Sequence, residues 1–460
     1  RPPQNRLGTK SRHQDLFKIS QTRLLYEKIH ERETMIFLGL ASNYPVGRTL
    51  RHLFAWGTPK DSQALRQTLA SRYGSTIDQV ALYHTGRSAL AAALLAVAEP
   101  GAKVILPGLT CIAVVRAIKA AGCIPVYSDI DPETLQYDFD ALDKTLTLCY
   151  NGSNGSTSPA FPRPGDASNP PESTENNLVR AETQPRPVVI AQNTLGLPLD
   201  AEKLEAVVKK HNAIIIEDLA HSAGRFYPDG REIGTIGAAT ALSFGKGKAI
   251  DTICGGALIV RQPKTTSEQS KTVSEQPKTM PEQPQTTSSR PQSVPDQPLK
   301  RPRLSASLRD RWYPVFAGLS RTFWSIGLGK AILAVCVKFR WIEKSADAEL
   351  SLETRLTHWQ AKLAREQLDK LPKTPLREHA FVKNRDQLLQ ELKHNGYDFC
   401  EIWYDTPVSP VRYALEADFP ADRCPNTVKV AQHIINLPTW YPETKLAKAR
   451  EIIKPYEVEL

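Results

Sequence analysis

Two charged side chains follow short apolar runs in the middle of the chain. Asp218 comes directly after the apolar run 214–216 and Glu217, and Lys248 lies in the glycine-containing turn 245–248. Short apolar runs that end in polar or glycine-containing turns are typical of buried strands in an α/β sheet. Because ligands of open α/β sheets collect at the carboxyl ends of the strands, we expect Asp218 and Lys248 to share one site.

The chemistry of these two side chains indicates a cofactor. A lysine amine in such a turn can form a Schiff base with a carbonyl, and a carboxylate can keep a pyridine nitrogen protonated. Together they predict that the chain binds pyridoxal 5'-phosphate. Lys246 lies in the same turn and is a rival to Lys248 as the attachment point.

A segment upstream of both side chains has the pattern of a phosphate site. The predicted short strand 80–84 turns through Gly86 into an alanine-rich helix that has Arg87 and Ser88 in its first turn. The N–H groups at the start of a helix lack partners and carry a partial positive charge, which favours an anion. On its own the pattern is equally typical of an ordinary helix cap. Its position before the aspartate and the lysine favours the phosphate site.

Several motifs, in a fixed order, carry a resemblance to a known family. They are TGRSAL from Thr85, ILPGLTC from Ile105, IEDLAHS from Ile216, SFGKGK from Ser243, and the pair Gly255 and Gly256. With them the chain resembles the DegT/DnrJ/StrS-type aminotransferases over roughly residues 41–460, apart from two inserts. The resemblance implies an α/β fold, the PLP-dependent transferase fold type I, with a mostly parallel central sheet flanked by helices and a smaller α+β C-terminal domain. It also implies a homodimer with active sites at the subunit interface.

The resemblance further implies a role for each predicted catalytic residue. Lys248 would bind the cofactor and then move a proton, and its spacing from Ser243 favours it over Lys246. Asp218 would pair with the pyridine nitrogen, and beside that cation the pKa of its carboxyl should stay low. His221 would lie near the phenolic oxygen of the ring, with a capping or merely packed histidine as the alternative.

Further cofactor-binding residues follow from the same resemblance. Those predicted to hold the phosphate are Gly86, Arg87, Ser88 and Ser243. Cys111 stands where many relatives carry an aromatic residue, so it would either face the pyridine ring or be an ordinary buried cysteine. Glu353 stands where many relatives carry an asparagine that donates to the phosphate in the neighbouring subunit. An ionised carboxylate cannot donate, so that contact is in doubt.

Composition and charge limit the class of protein. With 460 residues and 41% hydrophobic content, the chain can form a large domain and a smaller one. Its 7 cysteines are scattered without the spacing of metal ligands, which predicts no metal site and favours reduced thiols in the cytoplasm. The net charge of +10 attracts nucleic acids in principle. No stripe of basic residues interleaved with aromatics is present, so we expect no nucleic-acid partner.

The predicted organisation has two folded parts and three other segments. We expect a mobile N-terminal extension, a large PLP-binding domain with a disordered insert (151–187), a repeat-rich linker, an apolar connecting segment and a small C-terminal domain. Their ranges are 1–40, 41–261, 262–302, 303–345 and 346–460. Within the connecting segment, the apolar stretch 311–341 is interrupted by charges and is not expected to span a membrane. It would make weak contact with a membrane surface or cover a subunit interface.

The resulting hypothesis is a PLP-dependent aminotransferase. We expect it to move an amino group from glutamate to a keto-sugar on a nucleotide carrier, or to a similar carbonyl substrate, in the synthesis of cell-surface polysaccharide or secondary metabolites. Trp403 and Arg412 are candidates for substrate contacts. One alternative is a PLP-binding regulatory or scaffold protein without turnover, which the departures at Cys111 and Glu353 favour. The other is a PLP-dependent deoxysugar dehydratase, although the relatives with that activity replace the lysine by histidine.

Overall fold

The structure, a computed structural model of the chain, describes residues 36–37, 44–151, 185–261, 298–324, 326–342, 348–399 and 402–460. Most of the predicted N-terminal extension, of the insert 151–187 and of the repeat-rich linker 262–302 lies outside the described residues. The expectations for those three segments therefore stay predictions.

The described strands are short and follow the apolar runs of the sequence. They are β1 (Ile36–Phe37), β2 (Val80–Tyr83), β3 (Lys103–Pro107), β4 (Thr110–Cys111), β5 (Ile124–Ser128), β6 (Val188–Gln192), β7 (Ile214–Asp218), β8 (Ala239–Ser243), β9 (Gly256–Val260), β10 (Arg377–Phe381), β11 (Tyr397–Asp398), β12 (Val408–Ser409) and β13 (Ile434–Pro438).

A seven-stranded sheet forms the centre of the N-terminal part, in the order β2-β9-β8-β7-β6-β3-β5. Strands β8, β7, β6, β3 and β5 are parallel, and β9 is antiparallel to both of its neighbours. Successive side chains of a strand point to opposite faces, so Ile215 of β7 packs into the core on one face and Ile216 into the core on the other. Strands buried on both faces must be apolar throughout. The predicted α/β fold with a mostly parallel sheet is confirmed.

Helices cover both faces of this sheet and connect its parallel strands. The described helices are α1 (Val46–Phe54), α2 (Pro59–Arg72), α3 (Gly86–Val97), α4 (Ile112–Ala120), α5 (Phe139–Asn151), α6 (Ala201–Lys210), α7 (Leu304–Thr322), α8 (Leu328–Lys338), α9 (His358–Leu368), α10 (Arg385–His394), α11 (Pro425–His433) and α12 (Glu443–Ile453). Helix α3 is buried along most of its length because it lies between the sheet and α4. Its alanine-rich sequence permits that close packing.

The C-terminal part contains a small core of its own. Strands β10 and β13 pair antiparallel, and side chains of α10 and α12 share one core with those of β13. Leu388, Leu392, Leu437 and Leu446 are among the buried residues of this core. The boundary predicted at residue 346 stays a prediction.

The apolar connecting segment forms two helices that pack against each other, and α7 also contacts α1. Tyr313, Ala317 and Cys336 are buried in the core between these elements, whereas Trp312 and Trp341 are exposed. None of the described helices combines the length and the apolar character that crossing a membrane requires. Contact of this segment with a membrane surface or with a second subunit stays a prediction.

Candidate active site

A cavity of about 1260 Å³ lies where β7 and β8 end and α3 begins. Every catalytic and cofactor-binding residue that the sequence predicts lines this cavity: Gly86, Arg87, Ser88, Cys111, Asp218, His221, Ser243 and Lys248. The rival lysine, Lys246, lines it as well. The structure therefore brings together residues that are far apart in the sequence.

Asp218 is the last residue of β7 and is 9% exposed. Its Oδ1 accepts a hydrogen bond of 2.9 Å from the N–H of Ala220. Burial raises the pKa of the carboxyl, and the Ala220 hydrogen bond and the Lys248 ammonium oppose this rise. The low pKa predicted from the sequence assumed a pyridinium beside the carboxylate. Without that cation, removal of the carboxyl from water raises its pKa more than Ala220 and Lys248 lower it.

His221 lies three residues after Asp218 at the same end of the cavity. Its ring stacks on Trp403 with 5.1 Å between the ring centres, and the hydroxyl of Tyr404 lies 3.4 Å from its Nδ1. Burial lowers the pKa of the imidazole well below its usual value, and the nearby Lys248 and Arg377 lower it further. His221 is therefore neutral at physiological pH and presents one N–H donor and one acceptor nitrogen.

Lys248 is partly buried beside Asp218 and His221. Burial lowers the pKa of its ammonium to about 8, an effect opposed by Cys111 and Asp218 and reinforced by Arg377. A lysine with this pKa has a much larger unprotonated fraction at neutral pH than an exposed lysine, and the unprotonated amine is the form that attacks a carbonyl.

Lys246 points to a different wall of the cavity. Its Nζ lies 4.3 Å from the centre of the Tyr313 ring, on helix α7, whereas the Nζ of Lys248 lies 4.6 Å from the centre of the Trp403 ring. Asp218 acts on the pKa of Lys248, whereas Lys246 acts on the pKa values of Cys254 and Asp310. The surroundings of the two amines thus distinguish two residues that the sequence alone places in one turn.

At the opposite end of the predicted cofactor site, α3 begins very close to the end of β8. A Cβ on Gly86 would lie 2.6 Å from both the Cβ and the Oγ of Ser243, and a Cβ on Gly256 would lie 2.6 Å from the Cα of Gly86. Such distances are too short for any side chain, so glycine is required at both positions. The close approach sets the hydroxyl of Ser243 beside the N–H groups of the first turn of α3, an arrangement suited to an anion.

The hydroxyl of Ser88 is engaged within the protein. It lies 2.8 Å from the Oγ1 of Thr85, the N-cap residue of α3, and accepts a hydrogen bond of 3.1 Å from the N–H of Ser351. Arg87 donates to the carbonyl oxygen of Ala348 at 2.6 Å. Both side chains thus tie segment 348–354 over the start of the helix. If the Thr85 hydroxyl is the donor of their pair, the Ser88 hydroxyl accepts both bonds and keeps its own O–H for a phosphate.

Cys111 occupies the N-cap position of α4. Its Sγ lies 3.5 Å from the N–H of Ala113, and the side chain is partly exposed to the cavity. Cys111 and Lys248 line the same cavity. The position allows contact with a bound ring, and that role stays a prediction.

Some residues of the site have no local sequence signal. Tyr404 lines the cavity, and the buried Arg377 has its Cζ 4.1 Å from the centre of the Trp403 ring. Trp403 was expected only as a substrate contact, yet it touches the two predicted catalytic residues His221 and Lys248. Arg412, the other expected substrate contact, lies 4.8 Å from the ring of Tyr413 and does not line this cavity.

Glu353 lines the cavity and pairs with Lys300, whose Nζ lies 2.7 Å from its Oε2. The hydrogen bond from Lys300 lowers the pKa of the Glu353 carboxyl. Glu353 is therefore ionised at neutral pH and acts only as an acceptor.

Comparison with protein families and with known proteins finds similarity to aminotransferases. The sequence model of the DegT/DnrJ/EryC1/StrS aminotransferase family matches residues 60–149 and 171–290. The chain is 30% identical over 181 residues to GDP-perosamine synthase of Escherichia coli O157:H7, which covers 39% of each chain. It is 27% identical over 163 residues to L-glutamine:2-deoxy-scyllo-inosose aminotransferase of Streptomyces kanamyceticus, covering 35% of this chain and 30% of that protein. The matches thus span well under half the length of these relatives.

Solved structures share the fold over most of the chain. The sugar aminotransferase CalS13 of Micromonospora echinospora aligns over 92% of this chain and 99% of its own, with a TM-score of 0.52 and 15% identity. An aminotransferase of the same family from Brucella abortus aligns over 90% and 94%, with a TM-score of 0.53 and 16% identity. At this identity the likeness concerns the fold.

Proposed function

Because the chain belongs to the DegT/DnrJ/EryC1/StrS aminotransferase family, we propose that it is a PLP-dependent aminotransferase acting on a keto-sugar carried by a nucleotide. The observation that carries this proposal is the pairing of Lys248, whose pKa is lowered to about 8, with Asp218 in one cavity that also contains the start of α3. The amine of Lys248 matches the aldehyde of pyridoxal phosphate, and the carboxylate of Asp218 matches its pyridine nitrogen. The start of α3 matches its phosphate.

The residues of the cavity fit the cofactor by their chemistry. Lys248 would hold it covalently, Asp218 would pair with the pyridine nitrogen, and Ser243 together with the first turn of α3 would hold the phosphate. Glycine at position 86 leaves the space that the phosphate needs beside Ser243. When bound, pyridoxal phosphate supplies an electron sink that stabilises negative charge at the carbon bearing the amino group.

The protein residues then control protons around that carbon. The amine of Lys248, with a pKa of about 8, is suited to take up a proton and return it at a neighbouring atom. Asp218, as a carboxylate, favours the protonated pyridine nitrogen. His221, neutral because of its burial, is suited to hydrogen-bond the phenolic oxygen of the ring. Trp403 packs against His221 and Lys248 and limits the positions of both.

The size and charge of the cavity support a large anionic second substrate. Its volume of about 1260 Å³ exceeds the roughly 300–1,000 Å³ of a typical small-molecule pocket. Basic residues line the part of the wall that α7 and its neighbours form: Lys300, Arg301, Arg303, Arg309 and Arg340. Asp310, Glu349 and Glu353 also line the cavity and offset part of this charge, and the remaining positive charge attracts phosphorylated ligands. We therefore propose a nucleotide-linked keto-sugar as acceptor and glutamate as amino donor.

The assembly and location belong to the same proposal. A homodimer with active sites at the subunit interface would cover part of the exposed apolar residues on α7 and α8, and weak contact of 311–341 with a membrane surface is an alternative use of them. The small-molecule substrates and the scattered cysteines favour a cytoplasmic enzyme.

Covalent trapping tests the proposed function. Protein loaded with pyridoxal phosphate is reduced with borohydride and digested, and the labelled peptide is mapped; we expect the label on Lys248, retained in Lys246→Ala and lost in Lys248→Ala. Glutamate and glutamine are then offered as donors, followed by a set of nucleotide-linked keto-sugars. A label on Lys246 would mean that the attachment residue is wrong. Absence of any label, together with no spectral response to either donor, would reject the aminotransferase.

A further inference from the structure

Three side chains that the proposed mechanism does not use meet on another part of the cavity wall. The Sγ of Cys254 lies 2.9 Å from the Oδ2 of Asp310 and 3.6 Å from the Nε2 of His84, and the Nε2 of His84 lies 3.6 Å from the same Oδ2. All three residues line the cavity. Imidazole, thiolate and carboxylate are the donor groups that proteins use for Zn²⁺.

The three distances can be compared with those of a metal site. Bond lengths of about 2.3 Å for Zn–S and about 2.0–2.1 Å for Zn–N and Zn–O, at tetrahedral angles, separate the ligand atoms by roughly 3.3–3.6 Å. The two distances that involve His84, each 3.6 Å, agree with this range. The 2.9 Å between Cys254 and Asp310 is a hydrogen-bond distance, and it would have to increase by roughly 0.6 Å when the ion replaces the thiol proton.

Separate elements of the fold hold the three side chains in place. His84 follows β2, Cys254 precedes β9, and these two strands pair directly with each other in the central sheet. Asp310 comes from α7, whose Tyr313 shares a buried cluster with Ile253 just before β9, and is 4% exposed. The fully buried Gln360 donates from its Nε2 to the Sγ of Cys254 at 3.2 Å and to its carbonyl oxygen at 3.3 Å. Such neighbouring hydrogen bonds orient metal ligands.

A nucleophilic Cys–His pair is the other chemistry that these residue types could support, and the geometry disfavours it. In such a site the imidazole stands between the thiol and the carboxylate, so that it takes the proton of one and is oriented by the other. Here the thiol and the imidazole both approach one carboxylate oxygen, and the Oδ2 of Asp310 is the common centre. Each of the three ligand atoms lies within 3.6 Å of the other two, so one cation between them can contact all three.

We propose that His84, Cys254 and Asp310 form a site for a divalent transition metal of the zinc class. The two anionic ligands balance the charge of the ion. Because all three residues border the cavity, the fourth coordination position faces its interior, where a water molecule or an oxygen atom of the substrate completes the tetrahedron. The spacing of the cysteines in the sequence gave no sign of this site, because its ligands come from three distant segments.

Metal binding to the intact 460-residue chain tests the proposal. Protein loaded with pyridoxal phosphate is stripped with a chelator, and Zn²⁺ binding is measured by calorimetry and by metal analysis after dialysis. We expect one ion per chain, and an affinity at least 10-fold lower in Cys254→Ser, His84→Ala and Asp310→Asn. Cys123→Ser, which replaces a buried cysteine elsewhere in the fold, is the matched control and should bind normally. Circular dichroism verifies that each variant is folded.

Cobalt provides a test that needs no variant. Co²⁺ bound to the wild-type site should show the charge-transfer absorption of a thiolate ligand, measured in the absence of pyridoxal phosphate to avoid its spectrum. Lack of that absorption, lack of stoichiometric Zn²⁺ binding, or binding that Cys254→Ser leaves unchanged would each overturn the proposal. The Lys248→Ala variant should still bind the metal, so a failure of the aminotransferase proposal and a failure of the metal site give different results.

Discussion

Glu217 and Asp218 are neighbours in β7, and their carboxylates point to opposite faces of the sheet. The first is enclosed by hydrogen-bond donors, and the second borders the cavity. The Glu217 carboxylate is completely buried and accepts hydrogen bonds from Tyr227, Arg261 and the backbone N–H groups of Gly234, Ile236 and Gly237. The Asp218 carboxylate accepts one from Ala220 and borders the cavity. One acid stabilises the fold, and the other is available to a ligand.

The Glu217→Gln substitution should destabilise the protein strongly. The amide would turn one acceptor into a donor facing backbone N–H groups and would leave the guanidinium of Arg261, 2.9 Å from Oε2, without its counter-charge. Breaking a buried ion pair typically costs about 3–5 kcal/mol. Urea denaturation of the cofactor-free protein measures this loss. Glu202→Gln, on the exposed side of α6, serves as the control and should change stability by less than about 0.5 kcal/mol.

The Asp218→Asn substitution should leave stability nearly unchanged and reduce turnover. Asparagine keeps an acceptor for the N–H of Ala220 and removes a charge whose burial is unfavourable, as the raised pKa of Asp218 indicates. It cannot hold the pyridine nitrogen protonated, so we expect the reaction of the loaded protein with glutamate to slow by about 100- to 1,000-fold. Stopped-flow absorbance of the cofactor follows this step. A variant that turns over normally would show that Asp218 does not face the pyridine nitrogen.

The Gly86→Ala substitution should weaken cofactor binding and stability together. The added methyl would lie 2.6 Å from the Oγ and Cβ of Ser243, so α3 would have to move away from β8 at a cost of about 1–3 kcal/mol. Titration with pyridoxal phosphate and thermal unfolding measure the two effects. Gly318→Ala in α7 meets no atom within 4 Å. It should instead stabilise the protein by up to about 1 kcal/mol through helix propensity.

The sequence was sufficient to predict the strands of the central sheet and the residues at the ends of β7 and β8. The runs before Asp218 and Ser243 are apolar because those strands are buried on both faces, and this requirement is visible in any single sequence. Trp403 and Arg377 could not be placed in the same way, because they reach the site through packing of the C-terminal part against the sheet ends. Asp310 was missed for a related reason. It lies in an apolar segment whose composition indicates a surface or an interface, and only the fold turns it toward His84.

The pH dependence of Lys248 follows from its lowered pKa. Burial lowers this pKa from its ordinary value of 10.5 to about 8. Below pH 8 the unprotonated fraction, and with it the rate of covalent attachment of pyridoxal phosphate, should rise about tenfold per pH unit and then level off.

The unfolded chain keeps the Lys248 proton up to about pH 10.5, so between pH 8 and 10.5 it binds more protons than the folded chain. The contribution of Lys248 to the stability of the cofactor-free protein therefore increases with pH over this window. The Lys248→Met substitution should remove this increase in stability. An attachment rate that still rises above pH 9 in the wild-type protein would show that burial does not lower the pKa of Lys248 to about 8.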